Sequence, residues 1–450
     1  MKAFHAYDIR GIYNKDFNKD DVYRIGYFLP GLLKTNKVLI GRDIRLSSPE
    51  VFEYLAKGIM HSGASVYDVG LSTTPMIYFA TARYQFDASV MITASHNGKE
   101  YNGLKVSTTG ASPVGYDNGL KDLEILMNTG TIVIAEKQGE IIPFNAKDDY
   151  LAFLKSYLPD ISNLNLSIDC SNGMAGLFIK DILGKKPFYL FDDLDGSFPN
   201  HAPNPLVMEN IKQLQKAVID NKSDIGIIFD GDADRVMFVD ENGKFIPPDL
   251  MIALMAPHFL NNNKSEKPLV IHDIRTSKSV IEYIENLGGI PYMWKVGRAY
   301  AAIKLKEING LFGGELAGHY YFKDFYFSDS GILACLIILE ILSNLKADGK
   351  KISEQIQEIV KYSNSGEINF TIEKKAEAMV RLKDYFTEND QVLHFYDFDG
   401  YRIEFADWWF NIRPSNTEPY LRLLVEAKTD LQLKEKLDII KKILSDFMVK

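Results

Sequence analysis

The sequence contains few cysteines and no long run of apolar residues. Its two cysteines, Cys170 and Cys335, lie far apart without metal-binding spacing, so neither a disulfide scaffold nor a cysteine metal site is expected. The longest strongly apolar stretch, 332–342, is too short to span a membrane and contains Glu340. The first residues lack the apolar segment of a signal peptide. These absences predict a cytoplasmic protein that has no membrane-spanning segment.

Basic residues are also in the minority. The 51 Lys and Arg residues against 60 Asp and Glu residues give a formal net charge of -9, which argues against a nucleic-acid partner. Hydrophobic residues at 46% and charged residues at 25% are typical of a globular chain and exclude a disordered or fibrous one. We therefore expect a globular protein, a monomer or small homo-oligomer, whose partner is a small molecule.

Short apolar runs that end at Gly, Pro, Asn or Asp alternate with amphipathic stretches, which is the pattern of β-α-β units. The pattern restarts several times, and 450 residues are too many for one ordinary core. We predict an α/β protein with three similar α/β domains, whose mixed sheets are mainly parallel, and a C-terminal α+β domain. The predicted domains are 1–145, 146–250, 251–365 and 366–450. In the last one we predict strands at 368–372 and 421–427, a strand pair around Asp399 and Gly400, and helices at 376–386 and 431–447.

The hexapeptide Asp230-Gly231-Asp232-Ala233-Asp234-Arg235 directly follows the apolar run 225–229. In an extended segment alternate side chains point to the same side, so the three carboxylates would repel one another unless a cation lay among them. Oxygen-only ligands favour Mg²⁺ or Ca²⁺ over Zn²⁺, and three carboxylates leave coordination positions for a phosphate oxygen. We therefore predict that Asp230, Asp232 and Asp234 hold Mg²⁺ beside a phosphate.

A second motif, Thr93-Ala94-Ser95-His96-Asn97, follows the apolar strand 88–92. A serine just beyond a strand end lies where α/β proteins bind ligands. Its hydroxyl needs a base or a metal to become a nucleophile. Because neighbouring side chains on an extended chain point apart, activation by the metal at Asp230 is favoured over activation by His96. Taken alone, the pair is more typical of a helix-capping serine beside a solvent-facing histidine.

Two further loops carry polar groups. Arg413-Pro414-Ser415-Asn416-Thr417-Glu418-Pro419, followed by Arg422, combines guanidinium, hydroxyl and amide donors that suit an anion, although a turn rich in Ser, Asn and Pro is an equal alternative. In Gly313-Gly314-Glu315-Leu316-Ala317-Gly318-His319 the glycines permit close backbone approach, and Glu315 and His319 can bond the hydroxyls of a sugar. In isolation this loop is more typical of a glycine turn with surface polar residues.

Taken together, the four loops resemble those of the α-D-phosphohexomutases, most of all the bacterial phosphomannomutase/phosphoglucomutase branch. The resemblance runs from Tyr7-Asp8-Ile9-Arg10-Gly11 to the Arg413 loop and covers nearly the whole chain. It implies four domains around a central cleft, which contribute in order a phosphoserine, a metal, a sugar-recognition and a phosphate-binding loop. The implied catalytic residues are Ser95, Arg10, Lys105 and His319, and the implied metal ligands are Asp230, Asp232, Asp234 and Ser95. The implied substrate-binding residues are Tyr7, His96, Asn97, Arg235, Lys295, Arg298, Glu315, Ala317, His319, Arg413, Ser415, Asn416, Thr417 and Arg422.

The resemblance implies an intramolecular phosphotransferase of the isomerase class that interconverts hexose 1-phosphate and hexose 6-phosphate, with mannose and/or glucose as the sugar. Phosphoserine at Ser95, bound to Mg²⁺, would pass its phosphate to the free hydroxyl of the substrate. The resulting hexose 1,6-bisphosphate, also the implied activator, would turn end for end and return its other phosphate to Ser95. Because an arginine stays protonated, Lys105 or His319 would carry the proton.

The sugar loop departs from the family at Ala317, where serine is usual, and this departure puts the preferred sugar in doubt. Phosphoglucosamine and N-acetylglucosamine-phosphate mutases are therefore alternatives. A phosphatase that uses Asp230 as nucleophile and Asp232 as acid leaves the other loops without a role. A calcium-binding EF-hand is disfavoured because Arg235 stands where that motif needs glycine, and because 236–239 is predicted to be a strand.

Overall fold

Four β-sheets follow one another along the chain, and helices cover them. The computed structural model describes residues 2–261, 267–415 and 420–448. In this part of the chain each of the first three sheets has a parallel half and an antiparallel half, whereas the fourth is antiparallel. The predicted fold class is confirmed. We name the four units I to IV after their sheets.

Unit I carries the first sheet, in which Arg42 and Ile92 are partners at the carboxyl ends of two parallel strands. The loops that follow these two strands are therefore neighbours in space. The strands are β1 (Ile9–Ile12), β2 (Lys37–Arg42), β3 (Ser65–Leu71), β4 (Ala88–Ile92), β5 (Tyr101–Thr108), β6 (Ser112–Pro113) and β7 (Ile141–Pro143). The helices are α1 (Lys19–Leu33), α2 (Ser48–His61), α3 (Thr74–Arg83) and α4 (Leu120–Thr129). The sheet order is β1-β5-β4-β2-β3-β7, with β6 beside β5.

Unit II is built around a buried apolar strand, Ile225–Phe229, which pairs with a parallel strand on one side and an antiparallel strand on the other. Its strands are β8 (Leu166–Asp169), β9 (Phe188–Leu190), β10 (Ile225–Phe229), β11 (Val236–Asp240) and β12 (Phe245–Ile246), and its helices are α5 (Lys147–Lys155), α6 (Ile179–Leu183) and α7 (Met208–Asp220). The sheet order is β12-β11-β10-β8-β9. The loop that joins β10 to β11 carries the three aspartates.

Unit III contains the most apolar segment of the chain, which forms a buried helix because its side chains are apolar on every face. The strands are β13 (Leu269–Asp273), β14 (Ile290–Trp294), β15 (Phe312–Gly314), β16 (Tyr320–Phe322) and β17 (Ser328–Asp329), in the order β14-β13-β15-β16-β17. The helices are α8 (Pro248–Leu260), α9 (Lys278–Asn286), α10 (Arg298–Glu307), α11 (Gly331–Ala347) and α12 (Ile352–Ile359). Among the described helices, none has the length and apolarity to cross a membrane.

Unit IV has the strands β18 (Ser363–Asn364), β19 (Ile368–Thr371), β20 (His394–Tyr396), β21 (Tyr401–Glu404), β22 (Trp408–Pro414) and β23 (Tyr420–Ala427), and the helices α13 (Lys375–Asn389) and α14 (Asp430–Ser445). The sheet order is β18-β23-β22-β21-β20, and β19 also pairs with β23. The predicted strands and helices of this unit are present, with ends that differ by a few residues. The central strand β22 was not predicted, because the polar Asn411 and Arg413 interrupt its apolar run and yet are buried.

One hydrophobic core joins the first three units. Buried side chains of Phe79 in α3, Ile227 in β10 and Leu336 in α11 belong to the same cluster, whereas unit IV has a core of its own. The loops of units I to III are therefore held rigidly relative to one another. The domain boundaries near 145, 250 and 365 stay predictions.

Candidate active site

A cavity of about 1580 Å³ lies between the four units. Ser95, Asp230 and Asp232 are buried beside it and contact residues of its wall. Lys295 does not line the cavity, and its Nζ lies 5.6 Å from the ring centroid of Tyr300. The predicted residues Asn416 and Thr417 lie outside the described residues. The predicted residues that line the cavity are Tyr7, Arg10, His96, Asn97, Lys105, Asp234, Arg235, Arg298, Glu315, Ala317, His319, Arg413, Ser415 and Arg422.

Ser95 follows β4 in a left-handed backbone conformation, with φ of 51°. Its Oγ donates a hydrogen bond of 2.8 Å to Oδ2 of Asp230. The Nδ1 atom of His96 lies 3.3 Å from the same Oγ. The expectation that the two neighbouring side chains point apart was therefore wrong, because the chain is not extended at Ser95. Burial lowers the pKa of His96 well below its usual value, and the cations Arg235 and Arg10 add to this effect, so the imidazole is neutral.

The aspartate loop is a tight turn and not the extended segment that the sequence suggested. Phe229 of β10 and Val236 of β11 are partners, and Ala233 between them has φ of 62°. The turn brings carboxylate oxygens of Asp230, Asp232 and Asp234 within 4.8 Å of one another. Gly231 permits the aspartate loop to pack against the backbone of Ser95, since a Cβ atom there would lie 2.5 Å from the Ser95 carbonyl oxygen.

The three carboxylates are fully buried. Burial raises the pKa of Asp230 well above its usual value, and Asp234 and Asp232 raise it further. Burial would also raise the pKa of Asp234, but Lys105 and His319 outweigh it and lower the pKa. In the described part of the chain, Oδ1 of Asp232 and Oδ1 of Asp234 have no hydrogen-bond partner. Buried orphan carboxylate oxygens fit a bound cation, and an all-oxygen ligand set fits Mg²⁺.

Lys105 lies between the aspartate loop and the cavity. Its Nζ is 2.7 Å from Oδ2 of Asp232 and also contacts Oδ2 of Asp234. Burial alone would lower the pKa of Lys105, but Asp232 and Asp234 outweigh it and raise the pKa above the usual range for lysine. Lys105 is therefore a fixed cation beside Ser95, which makes it a donor that stabilises negative charge.

His319 is oriented by Asp329, which the sequence analysis did not identify. The Nδ1 of His319 lies 2.6 Å from Oδ2 of Asp329, and Nε of Arg298 donates to Oδ1 of Asp329 at 3.0 Å. Burial would raise the pKa of Asp329, but Arg298 and His319 outweigh it and lower the pKa to about 2. Ionised Asp329 holds the proton of His319 on Nδ1, so Nε2 is the atom available for proton exchange. No local motif marks Asp329, which lies on the short strand β17.

Glu315 directly follows β15 and lines the cavity. Its Oε1 accepts a hydrogen bond from the backbone N–H of Gly297 at 2.5 Å, and its Oε2 accepts one of 2.9 Å from the Tyr321 hydroxyl. Burial raises its pKa above the usual value. Each carboxylate oxygen keeps a lone pair, so this fixed group can accept hydrogen bonds from sugar hydroxyls. The side chain of Ala317 lies next to it in the cavity wall and offers no polar group.

Arg413 of β22 and Arg422 of β23 are neighbours on the sheet of unit IV, since they are register partners. Nε of Arg413 donates to Oδ1 of Asp399 at 3.2 Å, and Nη1 of Arg422 lies 3.1 Å from Oε1 of Glu367. Glu367 also contacts Nη1 of Arg275, a buried arginine of unit III, at 3.3 Å. These ion pairs, which the sequence did not predict, fix the positions of the arginine side chains in the cavity wall.

The N-terminal segment closes the cavity near Ser95. Arg10 donates to Oδ1 of Asn97 at 2.9 Å and forms an ion pair with Asp8. The Tyr7 hydroxyl donates to the carbonyl oxygen of Val296 at 3.0 Å. Arg10 is therefore a second fixed cation beside Ser95, while Tyr7 connects unit I to unit III.

Comparison with known proteins shows to which family the chain belongs. It matches the family models for phosphoglucomutase/phosphomannomutase α/β/α domains I, II and III and for the C-terminal domain, over residues 1–129, 148–243, 247–362 and 367–442. A phosphomannomutase of Escherichia coli (strain K12) is 36% identical over 448 residues, which covers 97% of this chain and 97% of that protein. The chain belongs to the phosphoglucomutase/phosphomannomutase family. The resemblance seen in the four loops is thereby confirmed.

Other members of the phosphoglucomutase/phosphomannomutase family are similarly close. The phosphohexose mutases of Xanthomonas campestris pv. campestris are 36% identical over 441 residues, with 97% of both chains covered. The crystal structure of a family protein from Burkholderia thailandensis superposes with a TM-score of 0.88 at 28% identity, covering 99% of this chain and 97% of the other. This chain is therefore a phosphohexomutase, an enzyme of the isomerase class that transfers phosphate intramolecularly.

Proposed function

We propose that the protein interconverts hexose 1-phosphate and hexose 6-phosphate through phosphoserine at Ser95 and a hexose 1,6-bisphosphate. The observation that carries the proposal is the hydrogen bond from Ser95 Oγ to Asp230, inside a cluster of three carboxylates beside the cavity. Arg413 and Arg422 line the same cavity. Mannose and glucose phosphates are the proposed substrates, because close relatives are named phosphomannomutases.

Mg²⁺ held by Asp230, Asp232, Asp234 and the Ser95 phosphate would offset the charge of the phosphoryl group. Lys105, Arg10 and Arg235 stabilise negative charge on the same group from the cavity side. In the first transfer the bond from phosphorus to Ser95 Oγ breaks and a bond to the sugar hydroxyl oxygen forms. We assign the proton of that hydroxyl to Nε2 of His319, because Asp329 holds the other ring nitrogen.

The phosphate that does not react needs a site that recognises phosphate and not one particular carbon of the sugar. Arg413, Ser415 and Arg422 line the cavity, and we propose that they form this site and that Asn416 and Thr417 complete it. After the bisphosphate has turned end for end, the same site holds the phosphate that was just transferred. A cavity of about 1580 Å³ leaves room for this rotation. Released hexose 1,6-bisphosphate would act as activator by restoring phosphoserine.

We further propose that each predicted domain supplies one loop: 1–145 the phosphoserine loop, 146–250 the metal loop, 251–365 the sugar-recognition loop and 366–450 the phosphate-binding loop. His96, Asn97, Arg298, Glu315 and Ala317 would contact the sugar or its phosphates from the cavity wall. Lys295, whose Nζ lies toward Tyr300, would contribute only after its side chain moves. A cytoplasmic location and a monomeric or small homo-oligomeric state stay predictions.

The phosphatase alternative is disfavoured by the position of Asp230. Its carboxylate is fully buried and accepts a hydrogen bond from Ser95, and a phosphatase with Asp230 as nucleophile leaves this serine without a role. An amino-sugar phosphate mutase remains the second candidate because of Ala317. Assays of mannose 1-phosphate, glucose 1-phosphate and glucosamine 1-phosphate side by side distinguish the sugars.

The decisive test is the substitution Ser95→Ala. We expect no mutase turnover and no covalent phosphate, while the fold is kept because the side chain is small and lies in a loop. Ser167→Ala is a matched control, since Ser167 is also buried and hydrogen-bonded, to Ser223, but lies away from the cavity. Full activity of Ser95→Ala, or a base-labile phosphate on Asp230 in place of an acid-stable one on Ser95, would overturn the mechanism.

A further inference from the structure

Arg45 lies behind the Ser95 loop and does not line the cavity. Its side chain is 1% exposed. Its Nε donates to Oδ2 of Asp43 at 3.0 Å. The other four N–H groups each donate to a backbone carbonyl oxygen of one loop: Ser95 at 2.8 Å, Asn97 at 2.7 Å, Gly98 at 2.6 Å and Tyr101 at 3.1 Å. All five donors of the guanidinium are therefore used, four of them by the segment that carries the nucleophile.

The conformation of this loop depends on such a partner. Carbonyl dipoles that converge on one point repel one another unless a cation lies between them. Ser95 also has φ of 51°, a left-handed conformation that is unfavourable for a residue with a side chain. The hydrogen bond from Nη2 of Arg45 to the Ser95 carbonyl oxygen offsets this cost and points the hydroxyl toward Asp230.

Two residues of unit II also contact Arg45. The Phe198 ring centroid lies 5.1 Å from the Cζ of Arg45, and the backbone of Arg45 forms a bridge with Gly196. A Cβ atom on Gly196 would lie 2.1 Å from the carbonyl oxygen of Ile44, so this approach requires glycine. Because unit II also carries the aspartate loop, the contacts around Arg45 fix the separation between Ser95 and Asp230.

We propose that Arg45 is a positioning residue for phosphoryl transfer, which holds the 95–101 loop so that Ser95 Oγ stays aligned with the aspartate cluster. The proposal rests on the proposed function of Ser95. Arg45 does not line the cavity itself and forms no bond with Arg413, so its loss should affect the chemical step far more than substrate binding.

The test compares Arg45→Ala with Arg24→Ala. Arg24 is a matched control in unit I, because it donates to the carbonyl oxygens of Met127 and Gly130, away from the cavity. For Arg45→Ala we expect kcat to fall about 100-fold, the loss typical of a misplaced reacting group, with KM within about twofold of the wild type. We also expect the ³¹P NMR resonance of phosphoserine to shift or broaden. Arg24→Ala should keep kcat, KM and the resonance.

A kcat for Arg45→Ala that matches that of Arg24→Ala, with an unchanged ³¹P resonance, would overturn the proposal. If Arg45→Ala does not fold, Arg45→Lys decides, because an ammonium cannot reproduce the planar five-donor fork. A fall in kcat of about tenfold or more supports the proposal, and wild-type kcat contradicts it. The proposed function is tested separately, since phosphoserine in the wild type and inactivity of Ser95→Ala do not depend on the Arg45 variants.

Discussion

The Nδ1 atom of His319 lies 2.6 Å from Oδ2 of Asp329, and both side chains are buried. We predict that Asp329→Asn lowers kcat about 10–100-fold, because the amide no longer fixes the tautomer and orientation of the imidazole. KM should change little. A double-mutant cycle with His319→Gln checks this coupling, since the double variant should be no slower than His319→Gln alone. Losses that simply multiply would show that Asp329 acts independently of His319.

The second prediction concerns the cation at the three aspartates. Removal of divalent ions with a chelator should abolish turnover, and added Mg²⁺ should restore it. The reason is that the three carboxylates repel one another unless the ion is bound among them. The ion should also raise the thermal unfolding midpoint, since a ligand at about 100 times its Kd contributes about 2.7 kcal/mol to stability. Asp232→Asn should lose both effects. Undiminished Mg²⁺-dependent turnover in this variant would contradict the assignment.

The aspartate site could be predicted because its three carboxylates lie within five positions of one another. Sequence spacing was sufficient there, although the local conformation proved to be a turn. Asp329 and Arg45 could not be predicted, because their partners come from other elements and no local pattern distinguishes them from ordinary polar residues. The contact of His96 with Ser95 was missed for a different reason, since it depends on one left-handed residue that is not a glycine.

The strands, too, could be predicted only where the sequence pattern is local. Strands β4 and β10 have the predicted bounds, because each is a short apolar run that is buried along its whole length. The central strand β22 was missed because Asn411 and Arg413 are polar but buried, and their burial depends on partners such as Asp399. The four loops were assigned to one cavity through the family resemblance, and no spacing in the sequence shows that the units surround it.

The third prediction concerns sugar preference. Ala317→Ser adds a hydroxyl to the cavity wall beside Glu315, where it can bond a sugar hydroxyl. One such bond contributes about 0.5–1.5 kcal/mol, so kcat/KM for the sugar whose hydroxyl is in reach should rise up to about tenfold. Parallel assays with mannose 1-phosphate and glucose 1-phosphate measure the change in their ratio. Equal effects on both sugars would show that residue 317 does not discriminate between them.

The fourth prediction concerns stability and pH, and it follows from a buried carboxylate. Asp249 in α8 is 3% exposed and accepts hydrogen bonds from the backbone N–H groups of Ser277 and Leu250. Burial nevertheless raises its pKa to about 7, and Glu426 and Asp273 raise it further. An unfolded aspartate has a pKa of about 3.9, so between about pH 4 and pH 7 the folded protein binds a proton that the unfolded chain releases.

The stability contributed by protonated Asp249 is therefore fully present below about pH 4 and is lost as the pH rises through about 7. In the variant Asp249→Asn the side chain cannot titrate, and its amide oxygen can still accept the hydrogen bond from Ser277. Urea unfolding of the wild type and of this variant at about pH 5 and about pH 7.5 tests the relation. On going from the higher to the lower pH, the wild type should gain stability relative to the variant. A stability difference that is the same at both pH values would show that Asp249 does not hold the proton.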